Sequence, residues 1–162
     1  MKKVLIKIIA VKAFLGFMFL CTPQGMSDSL PQFELKDLAS SKISSVDWKN
    51  KIVLIDFWAT WCTSCKDSWK PLQELKNKYG SKGLKILAIA VDDSEAKVLR
   101  YAKKYDLPLD LIALDTQKVA EKFSLVGVPT TFLISNGKIV HKHFGPLSAS
   151  KDNFEEILSK LF

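Results

Sequence analysis

Polar and apolar residues alternate from Gln32 to Leu38, the pattern of a half-buried strand, and Lys42 to Val46 has the composition of its hairpin partner. The pattern then changes. Ile52-Val53-Leu54-Ile55 is an unbroken apolar run leading into Asp56-Phe57-Trp58-Ala59-Thr60, and Lys85 to Val91 is apolar nearly throughout, as strands covered on both faces should be. Between these runs Trp69, Leu72, Leu75 and Tyr79 recur at helical spacing. Gly80 stands at the C-cap of that segment, and Pro71 inside it removes a backbone bond and should kink it. Asp92-Asp93-Ser94 turns into a helix over Glu95 to Tyr105, with Asp93 or Ser94 as N-cap. Leu109 to Leu114 is a short extended piece, and Asp115 to Phe123 a short helix.

Strand, helix and strand in this order predict a right-handed crossover and a parallel pair. Asn136-Gly137 between two apolar runs is the strongest short hairpin signal, so the last strands, ending at Phe144, are antiparallel at one side of a mixed sheet. Ser150 to Phe162 places Phe154, Ile157, Leu158 and Leu161 on one face of a closing amphipathic helix. No internal repeat or low-complexity tract interrupts the chain.

Composition changes the picture only at the N-terminus. The formal charge of +7 on 162 residues invites a nucleic-acid reading. Of the 24 basic residues, however, Lys2, Lys3, Lys7 and Lys12 fall in a leader without acids, which leaves 20 against 17 acidic residues, a balance of +3. Nucleic acid is therefore discarded as a partner. Residues 1–27 run from basic and apolar through the uncharged stretch Ala13 to Cys21 into small polar residues, the regions of an export signal. The uncharged stretch is short for a membrane span, so cleavage after export is the first reading and a retained anchor the second. Cys21 is a lipidation candidate that follows Leu20, where a small residue is favoured, and is otherwise an ordinary leader residue. Residues 28–162 form one domain, placed by this reading in the periplasm or on the outer face of the cytoplasmic membrane.

Without the leader, Cys62 and Cys65 are the only cysteines. A disulfide closing so short a loop constrains little of the unfolded chain, so the pair is there for reactivity rather than as a staple. A buried strand followed by Trp61-Cys62-Thr63-Ser64-Cys65 and an amphipathic helix sets the dithiol in the first turn of that helix. Unsatisfied N–H groups and the positive end of the macrodipole stabilise a thiolate there. Cys62 is then the attacking sulfur and Cys65, nearly one turn on, the resolving one. The hydroxyls of Thr63 and Ser64 are candidate donors to the Cys62 thiolate. Asp56, at the end of a buried strand, should have a raised pKa and could accept the Cys65 proton; its plainer role is a hydrogen bond to a nearby turn. Trp61 is an exposed apolar shelf beside Cys62.

The stretch Asp56-Phe57-Trp58-Ala59-Thr60-Trp61-Cys62-x-x-Cys65 resembles the active site of thioredoxin-like proteins. With Val128-Pro129-Thr130 after it, the chain from about Pro31 onward resembles the exported reductases of the TlpA/ResA group. The resemblance implies an α/β thioredoxin-like fold, a mixed central sheet flanked by helices with an N-terminal β-hairpin extension. It also implies a cis peptide at Val128-Pro129, where sequence alone favours trans. Val128, Pro129 and Thr130 then present backbone to a substrate chain. Asp93 falls where such proteins place a carboxylate near the dithiol, although helix capping explains it equally well. Three departures stand close to the site: Ser68 replaces the family's usual Glu, its proline falls at 71 rather than at Lys70, and Asp56 occupies a place where TlpA-like chains often have Asn.

The implied activity is thiol-disulfide exchange with cysteines of envelope proteins, apocytochrome c among them. The Cys62–Cys65 couple serves as the only redox group with no added cofactor, and a membrane thiol donor of the DsbD/CcdA type restores it. A thiol peroxidase on the same fold is one alternative, but the proline and threonine expected ahead of a peroxidatic cysteine are missing before Trp61-Cys62. A copper- or haem-handling protein using the dithiol as soft ligands is another. Zinc held by Cys62, Cys65, His141 and His143 is disfavoured, since the two histidines read as solvated strand residues.

Overall fold

The computed structural model describes residues 29–92 and 94–162. The leader, with Cys21, and Asp93 lie outside the described residues. The elements are β1 (Glu34–Lys36), β2 (Lys42–Ser44), β3 (Ile52–Trp58), α1 (Lys66–Tyr79), β4 (Lys85–Ala90), α2 (Glu95–Lys104), β5 (Ile112–Leu114), α3 (Val119–Lys122), β6 (Thr130–Ser135), β7 (Lys138–Phe144) and α4 (Lys151–Leu161). β3 to β7 form one sheet in the order β5-β4-β3-β6-β7, in which β3, β4 and β5 are parallel and β6 and β7 antiparallel to their neighbours. β1 and β2 form a separate antiparallel hairpin. This is the mixed sheet with an N-terminal hairpin that the sequence predicts.

The steps from β3 to β4 and from β4 to β5 run in the same direction, so right-handed crossovers put α1 and α2 on one face. That face buries Leu54 and Trp58 of β3 against Leu72 and Leu75 of α1, Val98 of α2, and Phe154 and Leu158 of α4. The other face buries Val53, Ile55 and Phe57 under the hairpin and α3. Phe57 meets Phe123 and Phe132 at ring distances of 5.3 and 5.8 Å, and Trp48 covers Phe33 at 5.5 Å. Alternation along β3 thus assigns every second side chain to one of two cores.

The turn between the last two strands follows its residue chemistry. Asn136 and Gly137, at φ 51° and 71°, make the tight turn between β6 and β7. At the outer edge of β7 Ser29 bridges to Lys138 and the Leu30 N–H donates to the Gly137 carbonyl. At the opposite edge Asp37 bridges to Ala113 of β5 and the Leu38 N–H donates to the Ile112 carbonyl. The segment before β3 therefore covers backbone at both margins of the sheet.

Several boundaries differ from the sequence reading. The hairpin strands are three residues each, and Ser45 and Val46, expected in the second strand, belong to the 3-10 turn Ser45–Trp48. Gly80 is the C-cap of α1 as expected, but in a right-handed conformation; the chain tightens through Gly80–Lys82 and the left-handed residue is Gly83, at φ 109°. The helix expected from Asp115 begins only at Val119, because Lys118 is left-handed and Asp115 stands back as a cap. Its carboxylate accepts the Val119 and Ala120 N–H groups at 2.6 and 2.8 Å. Asp115→Ala should cost about 1 kcal/mol of stability, read as a lower denaturant midpoint with an unchanged slope.

Candidate active site

β3 ends at Trp58, and the chain turns through Ala59, Thr60 and Trp61 to Cys62. Cys62 and Cys65 are joined in a disulfide with their Cα atoms 5.4 Å apart. α1 starts one residue after Cys65, which is its N-cap. Cys62 therefore lies a turn ahead of the helix and not in its first turn as the sequence predicts. The reason is a set of short-range bonds: the Cys65 N–H donates to the Cys62 carbonyl, Asp67 N–H to Ser64 and Ser68 N–H to Cys65. They wind residues 62–68 into a tightened lead-in that still aims the positive end of α1 at the sulfurs.

Cys62 is 8% exposed and Cys65 fully buried, so of the two cysteines only the first meets solvent. Ser64 Oγ lies 3.8 Å from Cys62 Sγ, which makes it the hydroxyl in reach; Thr63 is exposed. Trp61 is 67% exposed beside them.

Asp56 is 1% exposed in the middle sheet strand. Burial pushes its carboxyl up to about 7, against the lowering pull of a 2.6 Å bond in which the Thr131 hydroxyl donates to Oδ1. Thr131 is its register partner on β6. Asp56 alternates with Leu54 and Trp58, so it points into the core that also contains Cys62 and Cys65.

The peptide Val128–Pro129 is cis. Pro129 immediately precedes β6, whose first residue pairs with Phe57, so it stands at the same end of the sheet as the disulfide. Val128 is half-buried and Pro129 buried. Thr130 is buried as well, and its hydroxyl donates to the Gly127 carbonyl at 2.7 Å, so its side chain shapes the loop from inside.

Three features escaped the sequence reading. The first is Asp92 at the end of β4, whose carboxylate takes the Thr60 N–H at 2.9 Å and the Thr60 hydroxyl at 2.5 Å. It pins the turn that delivers Trp61 and Cys62, while Ser94, the N-cap of α2, makes no side-chain capping bond. An acidic pair at a strand end was the available signal, and capping absorbed it. The second is Ser68, fully buried, whose hydroxyl accepts the Leu147 N–H at 3.0 Å and ties α1 to the turn before α4. The third is an apolar rim: Val126 is 83% and Phe144 61% exposed, and the Phe144 ring lies where a side chain on Gly127 would come within 3.1 Å of it. His141 and His143 lie on β7, with His141 packed on Phe154 at 4.8 Å and its imidazole held below the usual pKa by burial. No group of three or more His, Cys, Asp or Glu is gathered for a metal among the described residues.

Comparison with known proteins agrees with this geometry. Residues 26–143 match the AhpC/TSA family. The chain is 36% identical over 132 residues to a thiol-disulfide oxidoreductase ResA of Bacillus cereus, covering 81% of this chain and 75% of that protein. It is 32% identical over 122 residues to the thioredoxin-like protein YneN of Bacillus subtilis (strain 168), covering 73% and 71%. A crystal structure from Chlorobium tepidum, assigned as a thiol:disulfide interchange protein DsbE, superposes with a TM-score of 0.75 at 28% identity, covering 84% of this chain and 97% of that one. A strand-delivered Cys-x-x-Cys ahead of a helix, a cis-proline loop at the same end of the sheet and these relatives converge: the chain belongs to the AhpC/TSA family of thioredoxin-fold proteins, as a thiol-disulfide oxidoreductase.

Proposed function

We propose that the protein works outside the cytoplasm as a reductant of disulfides in envelope proteins, with Cys62 as nucleophile and Cys65 as resolving thiol. Cys62 thiolate attacks one sulfur of the partner's disulfide, and the partner's other sulfur leaves as a thiolate that takes a proton from water. Cys65 then gives its proton to the Asp56 carboxylate and attacks Cys62. The Cys62–Cys65 bond closes and the partner's second sulfur leaves reduced. Two electrons pass from the dithiol to the partner and no further redox group takes part. The observation that carries this reading is the unequal burial of the two cysteines, the first retaining 8% exposure and the second none.

Trp61 is exposed next to Cys62 in the chain, and Val126 and Phe144 expose apolar side chains around the cis-proline loop; such surface suits an unfolded or extended partner segment, which fits a substrate such as apocytochrome c before haem attachment. The leader composition supports export, and a membrane thiol donor of the DsbD/CcdA type would restore the dithiol. Among the described residues no helix is long and apolar enough to cross a membrane.

The test is capture. Cys65→Ser should accumulate as a covalent mixed disulfide with its partner in the cell envelope, released by dithiothreitol and identified by mass spectrometry. Recovery of envelope proteins with paired cysteines supports the reading; a Cys65→Ser protein that holds no partner beyond those found with Cys62→Ser sinks it. Peroxide consumption by the reduced protein faster than its reduction of insulin would replace it with the thiol peroxidase reading.

A further inference from the structure

Three strands carry a polar row through the core on the α1 side of the sheet. Asp56 of β3 is paired in register with Thr131 of β6, and Thr131 with His143 of β7. Directly opposed residues of an antiparallel ladder point to the same face with neighbouring Cβ atoms, so the three side chains stand in line from the middle of the sheet to its edge. On the other side of Asp56, β4 offers only Ala88. The helices on this face bring two titratable side chains to the same core, Tyr79, buried on α1, and Tyr101 of α2, packed on Trp58 at 5.3 Å, whereas the buried residues of α4, Phe154 and Leu158, do not titrate. Besides the two cysteines, the titratable side chains on this face of β6 and β7 are His141 and His143. The Nε2 of His143 is buried without a hydrogen-bond partner among the described residues. Among the described residues Thr131 alone is hydrogen-bonded to the carboxyl, at 2.6 Å, and it is fully buried.

We propose that Thr131 is a positioning residue for the resolving half-reaction: its hydroxyl fixes Oδ1 of Asp56 and favours the ionised carboxylate that takes the proton from Cys65. The inference rests on the acceptor role given to Asp56 above. A donor hydrogen bond stabilises the charged form of a carboxyl, whereas burial disfavours it. Here the two oppose each other on one buried group, so the hydroxyl sets where on the pH scale Asp56 becomes a competent acceptor. Without it Asp56 holds its proton to higher pH, and Cys65 finds the acceptor occupied at neutrality. Thr131 touches neither sulfur in this role and acts only through Asp56.

The test uses the reduced full chain with dithiobis-nitrobenzoate, followed as two successive releases of thionitrobenzoate. The first release reports attack by Cys62, the second reports closure of Cys62–Cys65. Thr131→Val keeps the volume of the site and removes the donor. It should move the pH midpoint of the second release to the alkaline side by about half to one unit and slow that release roughly two- to fivefold at neutral pH, while the first release is unchanged. Thr131→Ser restores the donor and should return the midpoint to that of the parent. A parental midpoint in Thr131→Val, or a midpoint in Thr131→Ser that stays with the valine variant, overturns the proposal. His143→Gln identifies the titrating group: if the midpoint disappears there, the histidine and not the hydroxyl governs the step, and the proposal fails. Asp56→Asn separates the proposal from the reading beneath it. A midpoint that survives in Asp56→Asn removes Asp56 as acceptor altogether, whereas one lost in Asp56→Asn yet unmoved in Thr131→Val overturns only the part given to Thr131.

Discussion

Cys62→Ser is expected to lower catalysed insulin reduction by at least about a thousandfold, to the rate of dithiothreitol alone. Serine keeps the shape of the turn but its hydroxyl does not ionise near neutral pH, so no competent nucleophile is left at the surface. Cys65 cannot substitute, because its side chain is fully buried beneath the turn. The Cys65→Ser variant should differ in kind: its first attack remains and it stalls as a mixed disulfide. Insulin turbidity with the three proteins side by side decides the matter. Equal losses in both variants without a trapped species, or retained activity in Cys62→Ser, would invert the roles or abolish them.

Asp56→Asn is expected to make the oxidised protein more stable at alkaline pH while impairing the resolving step. The Asp56 carboxyl is raised from 3.8 to about 7 by burial, so the folded state holds a proton that the unfolded chain has released over this interval. The unfolded state therefore binds fewer protons between about pH 4 and pH 7, and stability falls as pH rises through that window. A shift of about three units corresponds to about 4 kcal/mol at full effect above pH 7. An asparagine escapes that penalty, and its carbonyl can still accept the Thr131 hydroxyl, though its amide needs a partner in the same place. The expected gain is about 2 to 4 kcal/mol at pH 8 and close to nothing at pH 4. Urea denaturation of both proteins across this range checks it. Parallel pH profiles for Asp56→Asn and the parent would show that Asp56 is not the group responsible.

The core and the order of elements were legible because they depend on local pattern. Apolar runs at Ile52 to Ile55 and Lys85 to Val91 could only be buried strands, and Asn136-Gly137 could only turn back. Cys62, Cys65 and Asp56 were legible from their spacing and their place at the end of a buried strand, whereas the role of Pro129 and the cis state of the Val128–Pro129 peptide were legible by resemblance alone. What stayed hidden depends on pairing between distant positions. The hydroxyl that meets Asp56 comes from a residue 75 positions away, and only the register of β3 against β6 selects Thr131 over Thr130. The same register sends Thr130 inward to Gly127. Asp92 and Asp93 were indistinguishable as letters; the end of β4 gives Asp92 to Thr60. Lys118 shows the opposite failure: an ordinary helix former held left-handed because Asp115, not the helix, takes the free N–H groups of Val119 and Ala120.

The bridge between Ser29 and Lys138 puts the first described residue at one end of the sheet. Ser29 joins at the β6–β7 turn, whereas the sulfurs lie where β6 begins, a strand of six residues or about 20 Å away. A tether entering at Ser29 would grip the domain by its far pole, and the reactive sulfur would face outward, away from the point of suspension.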